Sequence, residues 1–254
     1  MSFKTRLLTS FQSDTEAPDL ALFNRFNPER YPYLLSSSAS RADNTQFDVL
    51  IAFPQYVITL HSDKSLSCSK KELPLADSFF ETLELHYQKS QQAVYSEPPL
   101  LPFTGGWFVY LSYEMAEEIE PCLNLPALTS GQPLAVAARC PAALIVDKKN
   151  RQLLAVAEQG YEKLLDEIEQ DYRRVEKEEK ITGQKIKLQS LLEAEAGPYL
   201  QQVETIKQYI VDGDIFQANL SRQWQAILSE DIDDAELFAA LSKQNPSSFA
   251  AMAC

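Results

Sequence analysis

Residues 198–224 read PYLQQVETIKQYIVDGDIFQANLSRQW, and the two halves of this stretch carry two different periods. Tyr199, Val203, Ile206 and Ile210 are spaced four, three and four apart, which sets them on one face of a helix. Gly213 stands where a helix end favours a residue that tolerates positive φ, so the helix is expected to stop there. Beyond it Phe216, Ala218 and Leu220 alternate with Gln217, Asn219 and Ser221, the period of a strand with one apolar and one polar face. By shape alone this is a helix-to-strand unit of a globular core. Shape does not explain the row of amides and hydroxyls on the strand's polar side.

The surrounding chain is long enough, at 254 residues, for one large domain or two small ones around a real core. Its hydrophobic content of 45% and aromatic content of 10% are those of a folded protein. With 23 Lys and Arg against 36 Asp and Glu, the formal charge is −13, a field that repels phosphate backbones and argues against a nucleic-acid partner. An anionic substrate then needs a local cationic pocket or a divalent metal. Cys68, Cys122, Cys140 and Cys254 are far apart, and His61 and His86 are the two histidines, so no zinc-ligand spacing exists and a Cys-His or Ser-His catalytic pair is not supported. The cysteines read as free thiols. The opening MSFKTRLLTSFQSD lacks a signal-peptide core and no apolar run reaches membrane-spanning length, so no membrane partner is expected and the cytoplasm is the expected compartment.

Taken in order, the pattern predicts strands at 4–10, 33–35, 47–53, 56–60, 134–146 and 153–157, and helices at 20–26, 75–92, 161–179 and 233–241. Pro54 interrupts two apolar runs, as at a bulge or turn. Residues 36–46 are polar and longer than a hairpin needs; a binding loop and plain solvent exposure both account for them. Gly105-Gly106 precedes an aromatic strand with no Lys-Ser/Thr behind it, so close backbone approach explains the pair better than phosphate binding. The charged side of the 161–179 helix reads as a solvated face. The run EKEEKITGQKIK, continuing to Gly197, reads as a linker, giving a first domain over 1–182, a linker over 183–197 and a second, incomplete domain over 198–254. Residues 248–254 form an apolar segment with no turn or polar tail after it, so the chain is expected to be the front part of a longer polypeptide.

Four motifs in one order carry a resemblance. Residues 213–220, GDIFQANL, are similar to the GDIFQVNL segment of the chorismate-utilising enzymes, and Asn219, where anthranilate synthase component I usually has Val, resembles the aminodeoxychorismate (para-aminobenzoate) synthase component I branch. Residues 32–37, PYLLSS, resemble the LLxS motif; 103–114, FTGGWFVYLSYE, resemble FxGGxxGYLSYD; and 245–252, NPSSFAAM, resemble NPxPFxAxL. Val109 replaces a family glycine, Ser248 a family proline, and Arg222-Gln223 inverts the usual Gln-Arg.

The resemblance implies an α+β fold with large, mostly antiparallel sheets packed face to face and flanking helices, here truncated. It implies binding of chorismate, use of Mg2+, and ammonia supplied by a glutamine amidotransferase subunit (component II) to give 4-amino-4-deoxychorismate in para-aminobenzoate and folate biosynthesis. Anthranilate synthase component I, or a non-catalytic tryptophan-binding or docking domain, are the alternatives. The family's PIKGT lysine and metal-binding glutamates have no counterpart in these residues, so catalytic residues are expected beyond Cys254 and this chain alone is expected to be inactive. What the resemblance carries over is a tryptophan pocket, falling on Ser37, Asn44, Thr45, Gln46 and Phe47, with Ser248, Phe249 and Ala250 from the last motif. A serine hydroxyl and loop amides suit an amino acid's ammonium and carboxylate, and Phe47 and Phe249 suit an indole.

Overall fold

The computed structural model describes residues 3–12, 17–37, 46–90, 101–126, 131–181, 183, 186–229 and 231–254. In chain order the elements are β1 (Phe3–Ser10), α1 (Ala21–Phe26), β2 (Tyr33–Ser36), β3 (Phe47–Ala52), β4 (Tyr56–Leu60), β5 (Leu66–Cys68), α2 (Phe79–Ser90), β6 (Gly106–Leu111), α3 (Ala116–Ile119), β7 (Ala135–Cys140), β8 (Ala142–Asp147), β9 (Gln152–Glu158) and α4 (Leu164–Val175). There follow β10 (Leu188–Glu193), α5 (Ala196–Asp212), β11 (Trp224–Leu228), α6 (Asp234–Gln244) and β12 (Ala250–Ala253). Contacts divide them into one compact unit of Met1–Gly183 with Asp234–Cys254, and a second of Gln184–Asp233.

The first unit is built on two antiparallel sheets, of strand order β1-β9-β8-β3-β2-β12 and β5-β4-β7-β6. Two prolines make the corner between them. The apolar run over 134–146 is not one strand: it breaks at Pro141 into β7 of the smaller sheet and β8 of the larger. Pro54 does the same between β3 and β4, with Phe53 at φ 59. Proline cannot donate a ladder hydrogen bond, so pairing stops there and the strand changes sheet. Because β3 pairs with β8 and β4 with β7, two antiparallel strands bend together, from Ala52↔Ala142 on one side to Tyr56↔Arg139 on the other.

Folding the sheets over one another buries Tyr33, Val49, Ile51, Ile145 and Val156 against Ala138, Cys140 and Phe108, with Tyr33 and Phe108 stacked at 4.0 Å. The outer face of the larger sheet is covered by α1, α4 and α6 through Phe23, Leu50, Leu144, Ile168 and Phe238; the smaller sheet is covered by α2 through Phe79. The expected α+β architecture of face-to-face antiparallel sheets with helices outside is what the chain adopts. Strand β8 is buried along its whole length, and accordingly AALIVD is apolar without alternation until its last residue. Helix α4 turns Leu165, Ile168, Asp171 and Val175 inward. Its buried Asp171 accepts from Arg30 Nη1 at 2.6 Å and from the Tyr31 hydroxyl at 2.8 Å. Burial, and then this carboxylate, push the Tyr31 phenol far above its usual range.

The glycine pair has a specific cause. Gly105 and Gly106 sit at φ +109 and +145, and a Cβ on Gly105 would lie well under 3.0 Å from the side chain of Glu158. Glu158 is fully buried and is paired with Arg139, whose Nη1 donates to the Gly106 carbonyl at 3.0 Å. The close approach expected of the glycines is therefore to a carboxylate side chain from the end of β9.

In the second unit β10 and β11 form a two-stranded ribbon, and α5 lies between them in sequence. The helix expected from Tyr199, Val203, Ile206 and Ile210 is present, and Gly213 closes it in the left-handed conformation at φ 84. The strand expected over 216–221 is absent: this segment has no ladder partner, and Phe216 is fully exposed. Alternation produces a strand only where a neighbour supplies hydrogen bonds and a face to bury. Conversely, β10 lies inside the stretch that reads as a linker, and α6 and β12, which follow the second unit in sequence, pack on the first.

Candidate functional site

The site begins at the end of β2. Ser37 follows the strand with 7% exposure; its N–H donates to Asp48 Oδ1 at 2.9 Å, and its carbonyl accepts from Lys148 Nζ at 2.6 Å. Asp48 Oδ1 also accepts from Ser36 Oγ at 2.9 Å and from Lys148 Nζ at 2.8 Å. Three donors on one oxygen fix the loop exit. Among the described residues the Ser37 hydroxyl is buried without a hydrogen-bond partner. A buried hydroxyl normally finds one, so this oxygen is the clearest opening for a ligand donor or acceptor.

The other side of the site comes from β12, which pairs with β2 as Ala250↔Ser36 and Met252↔Leu34. That register places Ala250 beside Ser36 and sets Ser248 and Phe249 just beyond the strand. Phe249 is a large apolar ring with 88% exposure, and Ser247 Oγ braces the turn by accepting from the Phe249 N–H at 3.2 Å. Gln46 reaches the third side: its carbonyl accepts from Lys148 N–H at 2.8 Å, and its amide donates to Asp147 Oδ1 at 3.4 Å. Burial works to raise the Asp147 carboxyl, but the N–H groups and amides of Asn150, Gln46 and Lys149 outweigh it and hold it below the usual range.

Ser37, Gln46, Phe47, Ser248, Phe249 and Ala250 thus lie on neighbouring strands β12, β2 and β3 or at their ends. Phe47 packs against the core between the sheets, a half-buried ring rather than a free platform. Asn44 and Thr45 lie outside the described residues. Asp48 and Lys148 were missed by sequence reasoning. A signal existed: Asp48 is a charge inside the apolar strand FDVLIA, and such a charge needs a partner. Its partner is 100 residues away, at the far side of β8, and no local pattern points to it.

Among the described residues no group of three or more His, Cys, Asp or Glu could hold a metal ion. The side chains described therefore do not fit the Mg2+ that the resemblance implies. Nor is any described helix long and apolar enough to cross a membrane.

Comparison with known proteins bears on this arrangement directly. The family model described as chorismate binding enzyme matches residues 31–253, from the start of β2 to the end of β12. The chain belongs to the chorismate binding enzyme family. Within it the chain is 31% identical over 157 residues to an anthranilate synthase component I-like protein of Synechocystis sp., a match covering 60% of this chain and 31% of that protein. The fold is similar to the crystal structure of anthranilate synthase component I from Streptococcus pneumoniae, with a TM-score of 0.60 and 19% identity over 82% of this chain and 47% of that one. This chain spans less than half the length of either relative. Two family motifs, PYLLSS and NPSSFAAM, are the strands β2 and β12 that pair at the site, while FTGGWF enters β6 at the buried Arg139–Glu158 pair.

Proposed function

We propose that this chain is the front portion of an aminodeoxychorismate synthase component I, which converts chorismate and ammonia to 4-amino-4-deoxychorismate. The observation that carries the reading is Asn219 in GDIFQANL, where anthranilate synthase component I usually has Val. In this reading a glutamine amidotransferase subunit delivers the ammonia. In this reading Mg2+, the general acid and the nucleophile of the reaction belong to residues outside these 254. The chain by itself is then inactive, and the cytoplasm is its place of work. The Ser37 shelf is the tryptophan pocket of this reading: its buried free hydroxyl faces the amino-acid head group, and the exposed Phe249 ring the indole.

A second reading is anthranilate synthase component I, supported by the descriptions of both relatives. One experiment separates the two. The full polypeptide and the 254-residue chain are each incubated with chorismate, ammonium and Mg2+, and products are resolved by chromatography. The proposal expects 4-amino-4-deoxychorismate from the full polypeptide and no product from the chain alone. Anthranilate from the former overturns the branch, and turnover by the latter overturns the assignment of the chemistry to later residues.

A further inference from the structure

Ser37 stands where the sheet stops supporting the chain. The β2–β3 ladder ends at Leu35↔Val49, and on its other side β2 pairs with β12 only as far as Ser36↔Ala250. Backbone groups beyond a ladder still need partners. For Ser37 they come from side chains: its N–H donates to Asp48 Oδ1, and its carbonyl accepts from Lys148 Nζ. The placement of the Ser37 hydroxyl thus depends on two charged side chains and not on strand pairing.

One residue governs both contacts. Lys148 Nζ donates to the Ser37 carbonyl at 2.6 Å and to Asp48 Oδ1 at 2.8 Å, so it holds the carbonyl directly and the N–H through its acceptor. Its own N–H donates to the Gln46 carbonyl at 2.8 Å, and the adjacent Asp147 accepts from the Gln46 amide at 3.4 Å. Ser37 and Gln46 are therefore held by the same turn, between β8 and β9. That turn is itself braced: Asp147 Oδ1 accepts from the N–H groups of Lys149 and Asn150, each at 3.0 Å, and Oδ2 from Asn150 Nδ2 at 2.7 Å. The Lys148 and Asp48 side chains are 31% and 17% exposed, and a partly buried pair of this kind is screened much less than a surface one. Two of the three donors of the ammonium are committed to this framework. A group so engaged orients a site from behind.

We propose that Lys148 is the positioning residue of the Ser37 shelf. It ties Ser37, Asp48 and Gln46 to the β8–β9 turn, and so sets the affinity for an amino acid bound at the shelf through a charge at the end of β8. The identity of that amino acid rests on the tryptophan-pocket reading given above; the clamp on Ser37 does not.

The test follows the Ser37 and Leu50 amides of the labelled chain by hydrogen exchange, and tryptophan binding by calorimetry. Lys148→Met is expected to speed exchange at Ser37 about tenfold, while Leu50, inside the β2–β3 and β3–β8 ladders, is unchanged. The same variant is expected to bind tryptophan about tenfold more weakly, the worth of one charge-assisted hydrogen bond. Lys148→Arg keeps the charge and the donors and is expected to restore both readouts, a rescue that a loss of side-chain bulk alone would not predict. Lys4→Met makes the same change of charge at an exposed site on β1, the far edge strand of the larger sheet, and is expected to alter neither. Should Lys148→Met fail to fold, Lys148→Gln, which removes the charge and keeps a donor, is expected to shift both readouts in the same direction. Unchanged exchange at Ser37 or undiminished affinity in the folded variant overturns the proposal, and so does Lys148→Arg behaving as Lys148→Met. No heat from the unaltered chain at millimolar tryptophan overturns the tryptophan reading instead, and the exchange at Ser37 then decides the proposal by itself.

Discussion

Substituting Gly105 by alanine tests the corner on which both sheets depend. Two costs are superposed there. The backbone sits at φ +109, which an L side chain adopts at a cost of roughly 1–3 kcal/mol. The new Cβ would also fall well under 3.0 Å from Glu158, whose side chain is fully buried and has no room to withdraw. Relieving that overlap displaces the carboxylate from Arg139, and breaking a buried ion pair from one side costs about 3–5 kcal/mol. Together these come to roughly 4–8 kcal/mol, most of the stability of an ordinary domain. Gly106 supplies the internal control. It has a comparably unusual φ of +145, but a Cβ there would meet nothing nearer than Phe103 at 3.8 Å, so Gly106→Ala is expected to lose only the backbone share, about 1–3 kcal/mol. Urea unfolding followed by the fluorescence of Trp107, next in the chain, measures both. The reasoning is refuted if Gly105→Ala costs less than about 1 kcal/mol or no more than Gly106→Ala, because glycine-to-alanine at an unhindered site is neutral or stabilising by about 0.4–1 kcal/mol.

Ser37→Ala removes a buried hydroxyl that has no partner, so stability is expected to stay level or rise by up to about 1 kcal/mol in urea unfolding, while calorimetric affinity for tryptophan falls about tenfold. Tyr33 has its phenol pushed up to about 12 by burial, with the Cys140 and Cys254 thiols adding to the effect. Because the folded state holds this proton more tightly than the unfolded chain, its contribution is complete below the ordinary value of 10.0 and is lost as pH rises toward about 12; stability should decline across that window, and absorbance near 295 nm should show Tyr33 ionising there and not near 10.0. Burial likewise pushes the Cys140 thiol up to about 12, whereas Cys122 and Cys254 are exposed, so a thiol reagent at neutral pH should label the latter two and reach Cys140 only on unfolding, as read by peptide mass spectrometry.

Where a segment's conformation is decided by its own residues, the sequence shows it. Helix α5 and its stop at Gly213 follow from a spacing and a missing Cβ, and the break at Pro54 follows from a missing N–H. The split of 134–146 escaped because a run buried on both faces lacks alternation, and length alone did not show that Pro141 divides it. The segment 216–221 has strand periodicity and no strand, while LQSLLE has little periodicity and forms β10, because in each case the deciding quantity is a partner elsewhere in the chain. The candidate site divides in the same way. Ser37 and the 248–250 triplet come from motifs, but their juxtaposition depends on β12 crossing back from beyond the second unit to pair with β2. Asp48 and Lys148 meet only because β3 and β8 are neighbours.

That last contact ties the shelf to the corner. Strand β3 runs from Phe47 at the shelf to Ala52 at the corner, and β8 from Ala142 at the corner to Asp147 at the shelf, paired throughout from Ala52↔Ala142 to Phe47↔Asp147. The prolines and the Arg139–Glu158 pair hold the corner end, and an uninterrupted ladder carries that register to the shelf, a span of about 17–20 Å for strands of this length. A slip of one residue would turn Asp48 into the core between the sheets and take Leu50, now fully buried, out of the core beneath the helices. Adjusting by a slip would thus bury a charge and strip the Ser37 loop exit of its acceptor at once. Strain introduced at Gly105 is therefore released by unfolding the first unit rather than by reshaping the shelf, and whatever fraction of a corner variant remains folded should keep the shelf's hydrogen bonds, and with them its ligand affinity, intact.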